Sequence, residues 1–115
     1  MFYPKIFSIL GFFAVALGAF GAHGIKEKVS AAHMENWKTA TLYLFIHVLA
    51  GLLSFYMTHK KRSQLFFLLG CIIFSGSLFL LVILNLPILG AVTPVGGVCF
   101  MLGWIFLFND INIKK

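Results

Sequence analysis

At 115 residues the chain has room for one compact unit; 61% of it is hydrophobic and only 10% is charged. A water-soluble domain carries about a quarter charged residues, so the composition excludes a soluble fold and points to a single membrane domain over residues 1–115. The net charge of +6 does not signal nucleic-acid binding, because the basic residues sit in short clusters at the ends of apolar runs rather than on one basic face.

Four apolar runs predict spans at 6–22, 39–57, 65–86 and 94–108. In the first, Gly11, Ala14, Gly18, Gly21 and Ala22 fall on one helical stripe, which lets a second backbone approach closely in lipid. A cleaved signal peptide, suggested by Lys5 ahead of the run and Ala19-Phe20-Gly21 at its end, needs no such stripe. Residues 24–38 are the only polar stretch of any length. Ile25, Val29 and Ala32 share a face there, so an amphipathic interfacial segment is expected. Ser30 is placed to cap the next helix, and Trp37 reads as an interface anchor.

In the second span Ala40, Tyr43, His47, Ala50, Gly51 and Ser54 share one face by their helical spacing. Leu42, Leu44, Phe45, Leu49, Leu52 and Phe55 occupy much of the rest and are expected to face lipid. His47 stands ten residues after Trp37, about 15 Å along the helix, near the membrane midplane. An ionisable residue at that depth is a functional candidate. The reading as structural glue that hydrogen-bonds across a helix interface is the stronger of the two. Tyr43, one turn away, is the candidate partner.

The turn before the third span carries Lys60, Lys61 and Arg62, the strongest orientation signal in the chain. Ser75-Gly76-Ser77 interrupts the third span near half depth, and Gly70 shares a face with Ser77. Cys71 and Cys99 fall inside spans and read as packing thiols, not a disulfide. The connection 87–94 is uncharged; Thr93 is placed to cap the fourth helix, and Pro94 suits its first turn. Gly96, Cys99 and Gly103 form a small stripe on that helix. At 15 residues the fourth run reaches about 22 Å, short of the ~30 Å hydrocarbon core, unless it extends toward Asn112. The expected fold is all-α: an integral membrane four-helix bundle with an interfacial amphipathic segment between helices 1 and 2.

Four spans place both termini and the middle turn on one side, with Lys5, Lys60, Lys61, Arg62, Lys114 and Lys115. The other side has Lys26, Lys28 and Lys38, partly offset by Glu27 and Glu35. The positive-inside rule predicts both termini in the cytoplasm of a cell (inner) membrane. His23 ends the first span near the surface, so its depth differs from that of His47 by about 15 Å, too far for a shared Zn²⁺ bound at ~2 Å. No metal or haem site is expected, and Glu35 is the predicted partner of His23. His33 and His59 are expected to be solvated. There is no Ser/His/Asp set, no HExxH and no glycine-rich nucleotide loop, so neither an enzyme nor a cofactor is expected.

Several strings occur together in order: residues 15–23 ending in His23, Trp37, Tyr43 with His47, Phe74 to Ser77, Thr93 to Gly97, and Gly103-Trp104. In these the chain resembles domain-of-unknown-function family 423, small, mostly bacterial inner-membrane proteins with relatives in eukaryotic organelles. The resemblance runs from the first span to Trp104 and matches at His23, Trp37, Tyr43, His47, Ser75, Ser77, Thr93, Pro94 and Trp104. It implies a multi-pass membrane protein and brings no established activity. Three functions stay open beside the contact with the lipid bilayer. One is an accessory or scaffold protein packing through its glycine stripes, in a homo-oligomer or a larger membrane complex. Another is an oligomeric transporter or channel using His47, Tyr43, Ser54, Ser75 and Ser77. The third is lipid binding near Lys60, Lys61 and Arg62.

Overall fold

The computed structural model describes residues 1–113; Lys114 and Lys115, counted above for orientation, lie outside the described residues. Four helical spans follow one another: Phe2–Ile25, Ala31–Met57, Arg62–Leu84 and Pro87–Asp110. The first is helix α1 (Phe2–Phe20) finished by a π turn, Gly21–Ile25; the second is one uninterrupted helix, α2 (Ala31–Met57). The third joins α3 (Arg62–Gly70) to α4 (Gly76–Leu84) through a second π turn, Cys71–Ser75. The fourth is a 3₁₀ turn, Pro87–Ala91, leading into α5 (Thr93–Asp110).

The polar stretch 24–38 is divided rather than forming one interfacial segment. Ser30 Oγ accepts the His33 N–H at 3.1 Å, which satisfies a free donor at the start of α2. Residues from Ala31 onward are therefore the first turns of the second span. The third span ends at Asn85, whose φ of 53° is left-handed. Asparagine tolerates that conformation better than most residues, and it turns the chain into the 3₁₀ connection. Thr93 does not cap α5: the 3₁₀ turn already feeds the helix, with Val95 N–H bonded to the Val92 carbonyl at 3.0 Å. All four spans are longer than the apolar runs alone indicate, because flanking residues and turns stay helical. At 18 residues, α5 reaches about 27 Å, close to the ~30 Å core.

Consecutive spans are zipped by small residues lying opposite large ones. In the first hairpin Phe7 lies on Gly51, Val48 on Gly11, Thr41 on Gly18 and Trp37 on Gly21. In the second, Phe67 lies on Gly103, Phe100 on Gly70, and the Phe74 backbone on Gly96. Each series steps along both helices by three, four or seven residues in opposite directions, as an antiparallel pair sharing one seam must. A Cβ at Gly21, Gly51, Gly70 or Gly96 would overlap the group seated there. In lipid there is no hydrophobic force between helices, so such close packing and interhelical hydrogen bonds hold them.

The two hairpins meet along the second and third spans, the most buried pair. Trp37 meets Phe79 edge-on at 4.7 Å, and Ser75 Oγ donates to the Ala40 carbonyl at 2.8 Å. The second span thus has two buried faces, one toward each hairpin partner. For this reason Leu44, expected toward lipid, is buried. The outer faces carry side chains such as Phe12, Val98 and Phe108, all exposed.

Candidate functional site

Trp37, expected as an interface anchor, does not face lipid. It is 1% exposed, and its indole N–H donates to the Leu17 carbonyl at 2.8 Å. Gly21 makes the notch that admits the ring. Tryptophan at a span end ordinarily sits among headgroups; here a glycine on the facing helix draws it inward.

His47 lies near the middle of α2, buried, in a cluster of rings drawn from three spans. Its imidazole stacks on Phe100 with centroids 3.6 Å apart and planes 13° apart. Phe67 and Trp104 flank it at 5.8 and 5.9 Å. Its Nδ1 is 2.8 Å from the Tyr43 carbonyl. A carbonyl only accepts, so Nδ1 carries the proton and donates. That leaves Nε2 bare to accept the Trp104 indole N–H at 3.1 Å. The ring is a neutral imidazole of one tautomer, with both nitrogens committed to groups of this chain.

Tyr43 partners His47 through its backbone carbonyl and by ring stacking at 5.9 Å, not through its hydroxyl. The remaining polar candidates do not join a stripe with His47. Ser54 Oγ turns back on its own helix to the Gly51 carbonyl at 2.8 Å. Ser75 is held by Ala40, and Ser77 Oγ pairs with Thr93 Oγ1 at 2.6 Å across the third and fourth spans. Thr93 therefore ties helices together where the sequence suggested a cap. These hydroxyls each satisfy a neighbour instead of lining a shared path.

At the loop ends the predicted pairs are exchanged for others. Among the described residues no hydrogen bond or ion pair joins His23 to Glu35; Glu35 instead stands 3.7 Å from Lys38, one helical turn on. His33, expected to be solvated, bonds through Nε2 to Asn85 Oδ1 at 2.8 Å, linking the start of the second span to the end of the third.

At the opposite end Arg62 grips Asp110 with Nε on Oδ2 at 2.6 Å and Nη2 on Oδ1 at 2.7 Å. The Asp110 side chain is 1% exposed, and the guanidinium lies 4.4 Å above the Phe106 ring. Sequence reasoning missed Asp110. The signal was its scarcity: it is the one acidic residue on the side that carries Lys60, Lys61 and Arg62.

The model of the family described as "Protein of unknown function (DUF423)" matches residues 17–97. These run from the end of the first span through the second and third spans to Gly97 in the fourth. The chain belongs to the DUF423 family. A UPF0382 membrane protein of Staphylococcus saprophyticus is 43% identical over 115 residues, covering 90% of this chain and 93% of its own. The UPF0382 membrane protein YwdK of Bacillus subtilis is 36% identical over 114 residues, covering 90% and 93%. The UPF0382 inner membrane protein YgdD of Escherichia coli K12 is 39% identical over 116 residues, covering 94% and 88%. No solved structure matches. This DUF423 chain is a four-span membrane protein, related to proteins of the same description in several bacteria.

Proposed function

We propose that this DUF423 protein is an accessory or scaffold protein of the cell membrane, with both termini in the cytoplasm and no chemistry of its own. The observation that supports this most is the state of His47. An ion ligand needs a nitrogen lone pair not used elsewhere, and a proton relay needs a partner that exchanges protons, which a backbone carbonyl and an indole N–H do not. Both His47 nitrogens are held inside the chain, and Ser54, Ser75 and Ser77 are each satisfied by other groups of the bundle. The interhelical seams are packed ring on glycine, which suits a rigid platform.

The test is reconstitution into liposomes with proton- and ion-sensitive dyes, paired with cross-linking in native membranes from exposed Phe12 and Met101. The expected result is no flux above protein-free vesicles, together with a discrete heavier cross-linked species. A flux that disappears in a folded His47→Gln variant would establish the transporter reading and end this one.

A further inference from the structure

We propose that the crevice between the first and second spans is a phospholipid site that seats one acyl chain, with the lipid phosphate at Lys38. The crevice has a volume of about 300 Å³; Gly18 and Ala22 form one wall, and Met34, Lys38, Leu42 and Phe45 are on the other. The second-span residues follow one face of α2, so the crevice runs along the helix. From Met34 to Phe45 it extends about 16 Å at 1.5 Å per residue.

Its depth matches one leaflet. The 27 residues of α2 span about 40 Å, which overhangs the ~30 Å hydrocarbon core by a few residues at each end. Met34 then stands at the edge of the core, and Phe45 near its centre. The small side chains of Gly18 and Ala22 open the space, and its lining is almost wholly apolar.

The width selects the occupant. A volume of about 300 Å³ along about 16 Å of helix makes a narrow crevice. A helix about 10 Å across does not fit, whereas a single hydrocarbon chain does. Lys38 supplies the polar end. It lies one turn inside Met34, and its flexible stem lifts the ammonium to headgroup level. Its side chain is 65% exposed, and its ion pair with Glu35 at 3.7 Å is a weak surface pair that a phosphate can displace. The ammonium is available to a phosphate.

The experiment is native mass spectrometry of the full chain released from nanodiscs of palmitoyl-oleoyl phosphatidylglycerol. The wild type is expected to retain one phospholipid per chain after bulk lipid is stripped. Ala22→Leu and Leu42→Trp fill the crevice from opposite walls and should each lose it; Lys38→Gln should hold it less well. Ile105→Trp, on a remote exposed face, should keep it. Two variants guard against a folding failure in one, with helicity and gel-filtration volume as the check. Absence of a stoichiometric lipid on the wild type overturns the proposal, as does full retention in a folded crevice-filling variant or equal loss in Ile105→Trp.

Discussion

The Trp104 indole N–H reaches His47 Nε2 across 3.1 Å, and with it the fourth span holds the second through the one histidine at mid-membrane depth. The bond fixes the ring's tautomer and its stack on Phe100. Interhelical hydrogen bonds in membrane proteins contribute about 0.6 kcal/mol on average and at most about 1.7. Trp104→Phe should therefore lower stability by roughly that range. His47→Ala also removes a packed ring and should cost about 2–4 kcal/mol, as core truncations do. Mixed-micelle unfolding of both variants and their double mutant measures the coupling. Strict additivity would show that the indole and imidazole act independently.

Glycines of equal chemistry should respond in opposite ways. A Cβ at Gly96 would enter the Phe74 backbone, whereas one at Gly76 meets nothing within 4 Å. Backbone cannot step aside as a flexible side chain does. Gly96→Ala should cost about 1–3 kcal/mol, the usual penalty of overpacking. Gly76→Ala should be neutral or gain up to about 1 kcal/mol from helix propensity. Paired melting curves decide the matter, and similar destabilisation by both would contradict the packing described for the second hairpin.

Much of this was legible in the sequence for a physical reason. Lipid demands long apolar helices with their backbone groups satisfied internally, so four spans follow from composition. The helical period then sorts each span's small residues onto one face, which is how Gly11, Gly18 and Gly21 were grouped. The period does not say which neighbour a face meets. That depends on hairpin register, which the turns set. Trp37 was misplaced because its notch, Gly21, lies on another helix. Arg62 read as a topology signal because Asp110 is distant in sequence, and His33 read as solvated because Asn85 is.

The two tryptophans should report this difference in placement directly. Trp37 is 1% exposed, whereas Trp104 is 45% exposed and, by its place in the fourth span, meets acyl chains. In vesicles of lipids brominated along the chain, the Trp37→Phe variant, which keeps Trp104, should be strongly quenched. The Trp104→Phe variant, which keeps Trp37, should be quenched weakly once Ala22→Leu has filled the crevice that Trp37 lines. Strong quenching of Trp37 in that crevice-filled background would show that the ring faces lipid after all.

Arg62 and Asp110 stand at helix ends that suit neither of them. A cation at the start of α3 and an anion at the end of α5 both oppose the helix dipole, so their mutual contact must outweigh it. The bond is bidentate, which a lysine's single ammonium does not reproduce. Arg62→Lys should therefore lower the melting temperature, and Asp110→Asn should lower it further by leaving Arg62 and Lys60 facing each other uncompensated. The exchange Arg62→Asp with Asp110→Arg keeps the net charge and places each charge at the helix end that favours it. It should recover much of what either single exchange loses. Added salt should matter little, because the Asp110 side chain is shielded from solvent. Thermal melts of these five variants at low and high salt test this. A double exchange as unstable as its singles combined would show that the two residues do not hold each other.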